Sequence, residues 1–300
     1  MRPLVSVIVP VFNDQRSLAV LLRALADQDF PREHFECLVI DNGSDEPIRI
    51  PPGCPLEVRV LRERQAGSYA ARNRGLSEAR GDIVAFTDAD CIPRSDWLSC
   101  AVQQIQSAKG PAIVAGHVEV ACLDETQRSE SPWYHVLQWH SVANDLNQRR
   151  FVSRFNFAAT ANLITTRDVF ERTGAFNALL FSGGDVEWGQ RAWSLGIQQI
   201  YADDVVVLHP ARADWRSLVA KTRRIAGGHY VLNSRTGLPL LRSVAITLSI
   251  AAASLRRSWL DPRLPTVGCR LGVTLVELSL RLVQLCEVVR LRLGGQALNC

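Results

Sequence analysis

The chain has 300 residues, 47% of them hydrophobic and 21% charged, which suits one large α/β domain with an appendage and excludes wholesale disorder. Its net charge of +4 conceals a division: from Ala211 to Cys300 fourteen Arg and Lys stand against four Asp and Glu, a balance of +10, which leaves −6 on the residues before. An acidic body with a basic tail points to phosphate or anionic lipid as a partner, and the tail's apolar content without interleaved aromatics argues against nucleic acid.

The N-terminus, MRPLVSVIVPVFND, lacks the long apolar core and cleavage site of a secretory signal. Val5 to Val9 instead reads as a buried strand ended by Pro10. Asn13 or Asp14 can cap a helix whose apolar face is Leu18, Leu21, Leu22 and Leu25. A second strand runs from Phe35 to Ile40 into Asp41-Asn42-Gly43-Ser44, and a third covers Val58 to Leu61. Gly67 opens a helix that reaches about Ala79, and Gly81 precedes the strand of Ile83 to Phe86. Strands alternating with helices predict an α/β fold with a mostly parallel, Rossmann-like sheet covered on both faces. Further on, a helix is expected over 96–107, strands over 112–118, 158–164 and 205–208, and a helix from Arg167 that stops at Gly174. The segment 131–146, with Trp133, Tyr134, Trp139 and His140, reads as packing more than as a sugar platform.

The eight cysteines form no CxxC pair and no zinc-like spacing, the pattern of reduced structural thiols in a cytoplasmic compartment. Ser243 to Leu255 is uncharged but shorter than the ~20 residues of a membrane span. Between Arg270 and Arg290 the polar positions 270, 277, 281 and 284 share one helical face. A basic amphipathic helix of this kind can lie in a membrane interface or pack on protein.

The chemistry gathers at strand ends. Asp88 and Asp90 follow the apolar run Ile83–Phe86 directly, and in open α/β sheets ligands bind at that C-terminal edge. Two carboxylates so close repel unless a hard cation or hydrogen-bond donors sit between them. Asp41 and the Pro10–Asn13 turn end neighbouring strands, so parallel pairing brings them to the same crevice. Gly67 and Arg72 put a small residue and a guanidinium at a helix start, where a nucleotide can approach. A second cluster, Ser182-Gly183-Gly184-Asp185-Val186-Glu187-Trp188, starts a helix with two acids pointing in different directions, either of which can serve as general base. His209, at the end of a late strand, is a candidate metal or phosphate ligand.

In this order the motifs resemble the family 2 glycosyltransferases with a GT-A fold: VSVIVPVFND at 5–14, VIDNGSDE at 39–46, AGSYAARNRGLSEARGDIVAFTDAD at 66–90, ATANLITTRDVFERTGAFN at 159–177 and FSGGDVEWGQRAW at 181–193. The resemblance implies metal-dependent transfer of a sugar from a nucleotide diphosphate, a UDP-sugar being favoured, with inversion at the anomeric carbon. By its pattern Asp41 contacts the base and Asp88 the nucleotide, alongside Pro10, Val11, Phe12, Asn13, Gly67, Arg72 and Ala89. Asp90 holds Mn²⁺ or Mg²⁺, His209 completes that shell, and Asp185, with Glu187 as its alternative, is the catalytic base. A GT-A domain is expected over 1–215 and a basic, apolar helical extension over 216–300. A lipid-linked or cell-envelope glycan acceptor then suits a peripheral place on the inner face of the membrane. The chain departs from the family pattern at Asn42, where a second aspartate is usual, and at Gly184, where a glutamate often precedes the base. Those departures motivate the competing reading, a nucleotide-sugar-binding or scaffold protein of the same fold that has lost turnover.

Overall fold

The computed structural model describes residues 4–122, 133–144, 146–234, 252, 255–256, 259–264 and 266–295. Strand β1 (Val5–Val11) is followed by helix α1 (Gln15–Ala26), β2 (Phe35–Asp41), β3 (Val58–Arg62), α2 (Ser68–Glu78), β4 (Ile83–Thr87), the two-residue β5 (Ile92–Pro93) and α3 (Trp97–Ser107). Then come β6 (Ala112–Ala121), α4 (Trp133–Ala143), α5 (Gln148–Phe155), β7 (Asn162–Thr166), α6 (Arg167–Thr173), α7 (Gly184–Ser194), β8 (Gln198–Pro210), α8 (Trp215–Ser234) and α9 (Val267–Arg292).

One eight-stranded sheet runs in the order β3-β2-β1-β4-β7-β6-β8-β5. The expected parallel arrangement holds for β3, β2, β1 and β4, and the later strands turn it into a mixed sheet: β7 pairs antiparallel with both β4 and β6, and β5 pairs antiparallel with β8. β2 is buried along its whole length, as a strand covered on both faces must be, which is why its apolar run shows no alternation. Helix α1 presents the expected face, with Leu18, Leu21, Leu22 and Leu25 buried, and Asp14 rather than Asn13 is its cap, its Oδ1 accepting from the Ser17 N–H at 3.2 Å.

Several boundaries differ from the sequence reading. β8 spans 198–210 instead of 205–208, and β7 starts at Asn162 instead of Ala158. Long-range pairing extends the first, and the side chain of Asn162 explains the second. Fully buried, it donates to the carbonyls of His117 on β6 and Val205 on β8, and accepts from the Trp97 indole N–H. One amide therefore spaces β6 and β8 at the start of β7, where an apolar residue would leave two carbonyls unsatisfied.

The chain divides into two compact units: Met1–Glu119 with Leu146–Leu180 and Gly184–His209, and Val120–Asp145 with Phe181–Gly183 and Pro210–Cys300. In the second, α4, α8 and α9 pack through Leu137, Leu218, Val276 and Leu280. The polar positions of α9 face inward there. Glu277 is buried, accepts from His140 Nε2 at 2.8 Å and from Arg281 Nε at 2.8 Å, and lines a cavity of about 160 Å³ with Asn144 and Gln284. The outward face is apolar: Leu271, Leu275, Leu278 and Leu282 are all about half exposed or more. Tyr134 and His140 are packed, while Trp133 is exposed. Most of the uncharged run 243–255 lies outside the described residues. Among the described residues no helix is long and apolar enough to cross a membrane.

Candidate active site

The parallel half of the sheet delivers its loops to one edge. The register sets Val11 beside Asp41 and Asp41 beside Arg62, while Ile8 pairs with Phe86, so the β1 turn, Asp41 and the Asp88–Asp90 segment all leave from C-terminal strand ends. A latch joins the first two. Buried Asp41 accepts from the Ser44 N–H at 2.8 Å, the Asn13 N–H donates to Ser44 Oγ at 2.9 Å, and Asn13 and Asp45 bond each other twice at 2.9 Å. Asn13 adopts φ +53°, a left-handed conformation that asparagine tolerates, and Phe12 projects exposed at the rim.

Asn42 bridges to the next element. Its Oδ1 accepts from the Gly67 N–H at 2.8 Å and its Nδ2 donates to the Gln65 carbonyl at 2.7 Å. Gly67, the N-cap of α2, sits at φ +124°, open only to glycine at low cost. The amide at 42 is thus built into the loop that opens α2, using one donor and one acceptor where a carboxylate would offer acceptors alone.

Arg72, buried on α2, donates from Nη2 to Asp88 Oδ1. Its guanidinium carbon lies 5.6 Å from the centre of the Tyr69 ring, and the Tyr69 hydroxyl donates to Asp185 Oδ1 at 3.0 Å. Contacts therefore run unbroken from Asp88 through Arg72 and Tyr69 to Asp185. Tyr69 carried no signal in the sequence, since a single tyrosine in a first helical turn has no distinguishing spacing. Burial pushes the Asp185 carboxyl above the ordinary carboxylate range, against the opposing pull of the Tyr69 hydroxyl and the Arg72 charge. Glu187 is engaged elsewhere: Arg191 binds it through Nε and Nη2, both at 3.1 Å, and also donates to the Ala175 carbonyl at 2.9 Å, clasping the turn after α6.

The remaining residues meet through the β5–β8 pairing. Ile92 pairs with Leu208, so His209 stands across from Cys91 and its Nε2 comes 3.6 Å from Asp90 Oδ2. One ligand atom each from Asp88, Asp90, Cys91 and His209 lies within 4.8 Å of the others. The two carboxylates are partly exposed, whereas Cys91 is fully buried. Burial, with Asp88 and Asp90 close by, pushes its thiol well above the ordinary range. The two carboxylates and the imidazole beside it are hard and borderline donors that fit Mn²⁺ or Mg²⁺. Ala89, between the two aspartates, is buried and contributes packing.

Known proteins agree with this architecture. Residues 6–174 match the model of glycosyl transferase family 2. Glycosyltransferase AglE of Haloferax volcanii is 35% identical over 254 residues, covering 83% of this chain and 80% of that protein. The mannosyltransferase PcManGT from Pyrobaculum calidifontis, solved in complex with GDP-Man and Mn²⁺, has the same fold, with a TM-score of 0.59 at 22% identity over 96% of this chain and 88% of its own. S. aureus TarS 1-349 in complex with UDP-GlcNAc superposes with a TM-score of 0.51 at 15% identity, over 97% and 92% of the two chains. Other relatives are much longer, and the chain spans only 39% of the longer TarS chain. With its motifs, its GT-A sheet and these similarities, the chain belongs to glycosyltransferase family 2.

Proposed function

We propose that this chain is an inverting, divalent-cation-dependent glycosyltransferase that moves a sugar from a nucleotide diphosphate sugar to a hydroxyl of a lipid-linked or cell-envelope glycan. The observation that carries the reading is the line of contacts joining the Asp88–Asp90–His209 cluster to Asp185 through Arg72 and Tyr69. Residues 1–215 would form the catalytic domain and 216–300 the extension.

The nucleotide lies along the sheet edge, with Asp41 toward the base, the Pro10–Asn13 turn, Gly67 and Ala89 beside it, and Asp88 oriented by Arg72. Asp90, Asp88 and His209 would hold Mn²⁺ or Mg²⁺, which when bound offsets the charge that grows on the departing diphosphate. Asp185 takes the acceptor's hydroxyl proton as the oxygen attacks the anomeric carbon opposite the leaving group, which inverts that centre. A carboxyl raised by burial is a stronger base than a solvated one, and suits this task at neutral pH. Glu187, committed to Arg191, serves to hold the turn after α6.

A bilayer contact is supported by α9. Its outward leucines lie in a region carrying +10, which matches an anionic lipid surface, whereas a second copy would bring like charges together. Such a contact suits a peripheral place on the inner face of the membrane and a lipid-linked acceptor.

Thermal unfolding with GDP-mannose or UDP-N-acetylglucosamine, each with Mn²⁺, Mg²⁺ or EDTA, tests the donor site. A bound donor at about 100 times its dissociation constant stabilises by roughly 2.7 kcal/mol. The expected result is a metal-dependent upward shift with one nucleotide, lost in Asp90→Asn. A donor shift that survives both EDTA and Asp90→Asn would refute the metal assignment.

A further inference from the structure

We propose that Tyr69 is the positioning residue of the catalytic base: its hydroxyl pins Oδ1 of Asp185, so that Oδ2 is the oxygen that accepts the acceptor's proton. The inference rests on Asp185 being the base.

Oδ1 receives two hydrogen bonds, from the Tyr69 hydroxyl at 3.0 Å and from the Val186 N–H at 3.0 Å. Among the described residues no hydrogen bond reaches Oδ2, and Asp185 is partly exposed. Two donors on one oxygen set the plane of a carboxylate that would otherwise rotate about its terminal torsion, which is broad for aspartate. The proton from the acceptor hydroxyl then passes to Oδ2, and the Tyr69 O–H bond stays intact. Tyr69 is buried, and burial first, then the Asp185 charge, drives its phenol well above its ordinary range, so it donates without ionising.

The tyrosine is itself held from several directions. Its ring centre lies 5.7 Å from that of Phe176, and the Arg72 guanidinium sits over it. The backbone of Gly184 runs against the ring so closely that a Cβ there would come within 2.7 Å of it. Glycine at 184 and tyrosine at 69 are thus two halves of one fit. A side chain at 184 would meet the ring, and the ring brings a hydroxyl to the base. The loss at 184 then marks a different way of orienting the base, and gives no support to a site without turnover.

Tyr69→Phe removes the hydroxyl and keeps the ring against Gly184, so the fold should persist, as thermal unfolding will check. The decisive measurement needs no substrate: the side-chain carboxyl of Asp185 is followed by ¹³C NMR across pH, with Asp185→Asn identifying the resonance. In the native chain it should titrate above the ordinary carboxylate range, and in Tyr69→Phe at still higher pH, because a donor to the charged form is gone. An unchanged titration in a folded Tyr69→Phe would overturn the proposal. With a donor in hand, Tyr69→Phe should lower kcat by about 10-fold, move its acid limb upward and leave the donor KM alone. Retained transfer in Asp185→Asn would instead sink the base assignment, whatever the titration of the tyrosine variant.

Discussion

At position 42 a side-chain amide does what a carboxylate cannot, donating to the Gln65 carbonyl while accepting from Gly67. Asn42→Asp keeps the acceptor and loses the donor, so it should cost about 1 kcal/mol in urea unfolding and loosen the start of α2. Gly184→Ala forces a methyl group against the Tyr69 ring and should destabilise by about 1–3 kcal/mol. Combined with Tyr69→Ala, which removes the ring, much of that cost should disappear, and a double-mutant cycle will read the coupling. Asp185 makes the opposite prediction. Its carboxyl is raised from 3.8 by burial, so the folded state binds more protons than the unfolded chain between that value and the raised one. Stability from this group is present at lower pH and lost as pH rises through that window. Asp185→Asn still accepts from Tyr69 and Val186 and carries no charge, so it should unfold at a higher temperature than the native chain at pH 7. A lower Tm at that pH would mean that the buried charge is not strained.

At the scale of elements, helix α9 was legible as a helix but not in its orientation. The spacing of positions 270, 277, 281 and 284 marks a polar face, and polar faces ordinarily meet water. Here that face is buried because His140 on α4 and Arg281 on α9 itself satisfy Glu277, which leaves the leucines outside. Glu277→Ala takes the carboxylate from buried His140 and leaves Arg281 only Gln284, and should cost about 3 kcal/mol, measured by denaturant unfolding. Leu275→Glu and Leu282→Glu change exposed positions and should leave Tm within about 2 °C. Both should reduce flotation with phosphatidylglycerol-rich vesicles and weaken its dependence on salt. Unchanged flotation, or a change in oligomeric state instead, would reassign this face to another occupant. The same contrast between local pattern and distant partner explains β7 and β8: the start of β7 follows hydrogen bonds of Asn162 and the length of β8 its pairing with distant strands, neither of which any window of sequence contains.

For the molecule as a whole, the motif order determined the family, the α/β alternation and the parallel half of the sheet. Each of these is written locally, as apolar runs that stop at turn residues or aspartates, and local patterns survive without knowledge of what packs on them. The strand-end aspartates were legible for the same reason, because a strand's C-terminal end is defined by the run before it. Tertiary structure decided what depends on partners far apart in the chain. It brought His209 beside Asp90 through the β5–β8 pairing. It set the buried Cys91 against Asp88 and Asp90, and paired Glu187 with Arg191 while Asp185 bonds Tyr69. It also set Tyr69 against Gly184 and Asp185, residues more than a hundred positions away. A side chain's chemistry is a property of its own atoms, but its protonation, its orientation and its freedom to react belong to whatever the fold places next to it.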